Sequence, residues 1–266
     1  MAQLVEHHLA KVRVAGSNPV VRSIRVVSIA LAVAVFVGCG SEPRYDAVVA
    51  AASDTRDAFA EVAALAKQES DVDIGFVFGS SGLLREQVLA GAPYDVYVSA
   101  NRKFVDEVVS AGFGDASTLD EFAVGRLAII SADGEGLPSE ARQVAGSSRV
   151  VIANPAHAPY GVAAREALQA LGLYDELADR LVLADNVADA VRVVQAGEAD
   201  LGIVALSLVI NEPHLLVEES LHQPIRQTLV ITSRGSDNPA AKAFVATLRS
   251  AEGRAILQRY GFTVKS

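Results

Sequence analysis

The sequence predicts an α/β protein folded as two lobes. Three observations point there: β-branched apolar runs alternate with stretches of helical spacing, the chain at 266 residues exceeds the usual domain, and two passages look like crossings between lobes. From residue 46 onward the elements follow in order. Strands are predicted over residues 47–50, 74–78, 95–99, 127–130, 150–153, 181–183, 201–204 and 229–232, each a short β-branched or apolar run. Helices are predicted over residues 55–67, 83–90, 163–171, 187–196 and 240–248, where apolar residues recur at helical spacing. Such βαβ alternation implies parallel-rich sheets flanked by helices.

The crossings are expected at residues 122–130, FAVGRLAII, and residues 224–232, PIRQTLVIT. Residues 44–125 together with 228–266 then make one lobe, and residues 126–227 make the other. Ligands of open α/β sheets sit beyond the carboxyl ends of the strands. The cleft is therefore expected to be lined by strand-to-helix turns.

Composition narrows the function. The chain is 51% hydrophobic and 21% charged, which suits a globular fold, and its net charge of −9 supplies no broad positive field for nucleic acid. A bound anion would have to be held by local dipoles. The single cysteine, Cys39, rules out an internal disulfide framework and a multi-cysteine metal site.

Cys39 closes a leader over residues 1–39. Arg22 and Arg25 precede an apolar run from Val26 to Val37, and small residues follow, as in a secretory signal. A membrane span needs about 20 apolar residues, so this run is too short to be one. Phe36-Val37-Gly38-Cys39 resembles the bacterial lipobox, with Phe36 where Leu is more usual. In that reading the acylated Cys39 is the first mature residue, and the protein is an extracytoplasmic lipoprotein held at the periplasmic or outer face of a membrane by its lipid alone. A soluble export signal with an incidental cysteine is the alternative. Residues 1–21 fit neither part of a signal, and translation is expected to start near Val21.

Four strand-to-helix turns share one character: Ala52-Ser53-Asp54-Thr55, Gly79-Ser80-Ser81-Gly82, Ala158-Pro159-Tyr160-Gly161 and Asp185-Asn186-Val187-Ala188. Small, hydroxyl-bearing and glycine residues let a ligand approach the backbone where the first helical amides have no partner. Free amides at the positive end of a helix bind anions. A tetrahedral oxyanion offers only acceptors, so hydroxyls and N–H groups can satisfy it without Arg or Lys. Each Ser or Asp could instead simply cap its helix.

The wording of the turns is more specific. Gly79-Ser80-Ser81-Gly82, then Gln87, then Gly91-Ala92-Pro93-Tyr94-Asp95-Val96-Tyr97-Val98-Ser99-Ala100 closely resembles the GSSG…Q…GAPxDxFxSAD stretch of periplasmic molybdate-binding proteins of ABC transporters. Asn154 to Gly161, Asp185-Asn186-Val187, Gly197 to Ser207, Pro224 to Gln227 and Arg259 to Phe262 follow in the family's order. The resemblance implies a two-lobed, type II periplasmic binding fold. It further implies a molybdate or tungstate ligand, no cofactor, a monomer, and a membrane permease with its ATPase as partners. It assigns the oxyanion to Ser53, Asp54, Ser81, Tyr160 and Val187: Ser53 and Ser81 through hydroxyl and amide protons, Tyr160 and Val187 through backbone N–H. Arg126, Arg226 and His157 are expected to be solvated or to pack at the crossings.

Two positions depart from the family. Ala205 stands where many relatives place a Tyr that reaches the anion, and Asp54 brings a carboxylate beside a negative ligand. Asp54 could turn away as a cap, be protonated, or accept a proton from a hydrogen phosphate; phosphate and sulfate therefore stay open as alternative ligands. A hydrolase is disfavoured because there is no GxSxG and His157, His214 and His222 form no triad pattern. The turns lack the clustered His and carboxylates that would capture a metal cation.

Overall fold

The computed structural model describes residues 45–132 and 134–264. The leader, Cys39 and the expected start near Val21 lie outside the described residues. In chain order the strands are β1 (Ala47–Ala52), β2 (Ile74–Gly79), β3 (Val96–Ser99), β4 (Asp120–Gly125), β5 (Leu127–Ser131), β6 (Val150–Ala153), β7 (Leu181–Ala184), β8 (Leu201–Ala205), β9 (Leu215–Leu216) and β10 (Ile225–Ile231). The helices are α1 (Arg56–Ser70), α2 (Ser81–Leu89), α3 (Arg102–Ser110), α4 (Pro159–Ala170), α5 (Tyr174–Leu177), α6 (Val187–Gln195), α7 (Pro239–Arg249) and α8 (Ala251–Arg259). Among the described residues no helix is long and apolar enough to cross a membrane.

Two five-stranded sheets organise these elements, in the orders β2-β1-β3-β10-β4 and β7-β6-β8-β5-β9. This is the two-lobed α/β architecture that the sequence predicts. Strands linked through helices run parallel, as β1 does with β2 and β3, and β6 with β7 and β8. The strands at the crossings run antiparallel: β10 against β3 and β4, and β5 against β8 and β9. Only Arg126 separates β4 from β5, which lie in different sheets. The return passage ends where Ile225 pairs with Gly125 at the edge of the first sheet.

Strands covered on both faces read as unbroken apolar runs, and β1, AVVAAA, is the clearest. One face of the first sheet packs on α1, α7 and α8 around Phe59, whose ring meets Phe244 edge-on at 5.5 Å between centroids. Its other face buries Leu84, Tyr97, Val105 and Val230 under α2 and α3. In the second lobe Ile129, Ile152, Leu168 and Val194 belong to a core that also reaches Ala52 and Ala100 of the first, so the lobes meet through packed small residues.

The sequence reading leaves α3 and α8 unassigned. Both begin at a capping side chain: Asn101 accepts from the Lys103 N–H at 2.9 Å and Ser250 accepts from the Gly253 N–H at 3.0 Å. Glycine is required in the first turn of α4. A Cβ on Gly161 would stand 2.0 Å from the Ala153 carbonyl oxygen at the end of β6, and that backbone atom cannot yield. The absent side chain is what lets the start of α4 come down onto the strand. Gly161→Ala is expected to destabilise the protein by about 1–3 kcal/mol through overpacking, read as a lower urea midpoint with an unchanged m-value.

Candidate functional site

The four turns meet in one small cavity between the lobes. Ala52, Ser53, Asp54, Gly79, Ser80, Ser81 and Ala100 line it from the first lobe, and Ala158, Pro159, Tyr160 and Val187 from the second. All five residues singled out in the sequence are therefore brought together. The cavity offers about 10 Å³ to the centre of a water-sized sphere, about the room of a single water. No Lys or Arg is among its lining residues.

The hydrogen bonds around the cavity set the direction of its donors. Ser81 Oγ accepts the Ala100 N–H at 3.1 Å and Ser53 Oγ accepts the Ala188 N–H at 3.3 Å, across the cleft. A hydroxyl has one proton. Each serine that accepts an amide in this way keeps that proton for a guest. At the start of α6 the Asn186 side chain caps Ala188 and Asp189, at 3.0 Å each, and leaves Val187 at the first helical position without a cap bond. In α4, Pro159 has no N–H and Ala158 makes no side-chain cap, so the Tyr160 amide is the first donor of that helix. Three helix starts thus turn their positive ends toward one point.

Ser80 plays a different part. Its hydroxyl donates to the His157 carbonyl at 2.6 Å, so its oxygen is free to accept from His157 Nδ1, 2.8 Å away. The Gly82 N–H donates to the same carbonyl at 2.9 Å. These bonds tie the lobes together beside the cavity. Arg126 and Arg226 lie outside it, paired with Glu219 at 3.0 Å and Glu121 at 2.8 Å. Ala205 is fully buried at the end of β8 and is not a lining residue.

Beneath the cavity lies a buried polar group that the sequence reading did not assemble. Gln227 Nε2 donates to Asp54 Oδ2 at 2.7 Å and lies 3.5 Å from the Tyr160 hydroxyl. The Ser207 hydroxyl donates to the Asp54 backbone carbonyl at 2.7 Å. Asp54 is 1% exposed, and its Oδ1 has no hydrogen-bond partner among the described residues. Burial pushes the Asp54 carboxyl up to about 7, opposed in part by hydrogen bonds from Tyr160 and Gln227. Tyr160 is raised well above the ordinary phenol by its own burial and by the Asp54 charge. The Tyr160 side chain therefore reaches the first lobe, whereas the sequence pointed only to its backbone. The hints of Gln227 in the sequence are its place at the end of the family-like Pro224 to Gln227 segment and its polar side chain in a strand that is otherwise largely apolar.

This arrangement can hold a small acceptor-only group. Among the described residues no cluster of His, Cys, Asp or Glu could bind a metal ion. The model of the bacterial extracellular solute-binding protein family matches residues 47–263. The chain belongs to that family. Members bind and deliver solutes, so the chain is a binding protein and not an enzyme. The molybdate-binding protein ModA of Rhodobacter capsulatus is 31% identical over 224 residues, covering 83% of this chain and 89% of that protein. ModA of Escherichia coli is 31% identical over 228 residues, covering 82% and 88%. Among solved structures, the periplasmic molybdate-binding protein of Azotobacter vinelandii superimposes with a TM-score of 0.79 at 29% identity, covering 83% of this chain and 100% of that one.

The buried carboxyl makes folding depend on pH. Unfolded aspartate ionises near pH 4, and Asp54 in the fold near pH 7. Between those values the unfolded chain holds fewer protons at this position than the folded chain, so stability falls as pH rises and levels off above about 7. The three-unit gap corresponds to roughly 4 kcal/mol. Asp54→Asn is expected to remove this component: from pH 4.5 to 7.5 in urea denaturation, wild type should lose several kcal/mol relative to the variant.

Proposed function

We propose that this chain captures molybdate, or the near-identical tungstate, outside the cytoplasm and delivers it to the permease and ATPase of an ABC transporter. The observation that carries the reading is the cavity itself, where hydroxyl protons and helix-start amides from both lobes converge without a cationic side chain. A dehydrated oxyanion presents only acceptors, and donors fixed in advance meet it without reorganising. A cavity this small must widen for any oxyanion, and it must widen less for a bare tetrahedral ion than for an organic ester of one. Molybdate is favoured by the named relatives, which are alike along most of the chain.

The residues proposed to meet the ion's oxygens are Ser53 and Ser81 through hydroxyl and amide, Tyr160 and Val187 through backbone N–H, and Asp54 beside them. None coordinates the molybdenum atom. Residues 44–125 with 228–266, and residues 126–227, act as lobes that close over the ion, and the closed monomer is the form the permease recognises. Cys39 is proposed to carry the lipid that holds the mature protein at the membrane, on the strength of its lipobox-like setting. Cys39→Ser is expected to move the protein from the membrane fraction to the soluble one.

Protein lacking residues 1–39 should gain thermal stability with molybdate and tungstate and much less with sulfate or phosphate. Stabilisation by phosphate alone would favour the second reading, which rests on Asp54 as an acceptor for the proton of hydrogen phosphate. Ser81→Ala removes one hydrogen bond to a charged group and should weaken molybdate binding by about 1.5–3 kcal/mol, roughly 10- to 150-fold in calorimetry.

A further inference from the structure

Asp54 is an unusual wall for a negative guest. It lines the cavity, it is almost fully buried, and no Lys or Arg lines the cavity with it. Its two oxygens are not equivalent. Oδ2 accepts the Gln227 amide at 2.7 Å, and Oδ1 has no partner. An ionised carboxylate there would face a dianion at close range in a low-dielectric site, where like charges repel strongly. A neutral carboxyl would carry its proton on Oδ1, the oxygen Gln227 leaves open, and would be one more donor.

We propose that Asp54 is a proton-carrying donor of the site, so that a fully deprotonated oxyanion is captured only with the Asp54 carboxyl protonated. The inference rests on the reading that such an ion occupies the cavity. At alkaline pH, one proton moves from solvent to Asp54 for each ion bound; no bond within the ion forms or breaks. A hydrogen phosphate would bring its own proton to the same contact, and no uptake would accompany it.

The surroundings assign the proton to this carboxyl. From β10 comes Gln227, which does not titrate, and from the turn after β8 comes Ser207, which bonds the Asp54 backbone. From α4 comes Tyr160, which burial and the Asp54 charge keep protonated. Of the charged groups on these and the other packed elements, Arg56 pairs with Asp57 on α1, Arg192 with Asp189 on α6, Arg226 on β10 with Glu121, and Glu166 on α4 accepts the Gln223 N–H, and neither they nor Arg165 of α4 line the cavity. Burial holds the Asp54 proton to about neutral pH, consistent with this role.

The test is titration calorimetry of wild type and Asp54→Asn with sodium molybdate at pH 5.5, 7.0 and 8.5, each in two buffers of different ionisation enthalpy. Wild type should take up close to one proton per ion at pH 8.5 and almost none at pH 5.5. Its affinity should fall towards tenfold per unit above pH 7, the slope of one linked proton. The variant should show neither uptake nor slope, and should bind more tightly than wild type at pH 8.5. Molybdate binding by wild type without proton uptake at pH 8.5 would overturn the role of Asp54 and leave the proposed function standing. No molybdate binding at pH 5.5 would overturn the proposed function and this inference with it. Should the variant fail to fold, uptake by wild type decides alone.

Discussion

Each serine that faces the cavity with a free proton accepts a backbone N–H from a distant part of the chain, and this one constraint orders the site. Ser81 is oriented by Ala100 and Ser53 by Ala188. A hydroxyl that accepts an amide has not spent its proton on that contact and keeps it to donate to a guest. The same logic governs Asn186, which draws off two amides of α6 and leaves Val187. In the proposed site, selectivity for an acceptor-only guest therefore rests in part on hydrogen bonds that never touch the guest. Substitutions at Ala100 or Asn186 that disturb the backbone would act on the site as directly as changes to the serines.

The fold makes this possible by sending strand ends from two sheets toward one point. β1, β2 and the end of β3 deliver Ser53, Ser81 and Ala100, while β6 and β7 deliver Tyr160 and Val187 through the helices that follow them. Close approach depends on small residues, with alanine at 52, 100 and 158 on the cavity wall and Gly161 against β6. Packing and chemistry are thus set by the same short segments. The large aromatic core around Phe59 lies on one face of the first sheet, where it supports the site without shaping it.

Much of this was legible in the sequence, for identifiable reasons. Buried strands announce themselves as continuous apolar runs, and the turns as Ser, Gly and Asn at the points where those runs stop. The antiparallel course of β5 and β10 was not legible, because strand direction follows from which strands pair, and β10 pairs with β3 and β4 from far along the chain. Gln227 was missed for a similar reason: its partners Asp54 and Tyr160 lie 173 and 67 residues away. Asp54 was visible as an anomaly, a carboxylate where the site wants donors. Its missing partner at Oδ1 needed coordinates.

The His157 carbonyl takes a hydroxyl from Ser80 and an amide from Gly82, all outside the set of groups proposed to hold the ion. Those two bonds join the lobes without drawing on a guest. A binding protein whose competent form is rarely populated loses apparent affinity in proportion to that rarity. Under the proposed closure, contacts such as these raise the share of closed molecules before any ion arrives, so less of the ion's own interaction energy goes into bringing the lobes together. If the lobes close over the ion as proposed, contacts of this kind also slow its entry. The strength of this small clasp therefore sets a balance between how tightly a scarce ion is held and how quickly it is found.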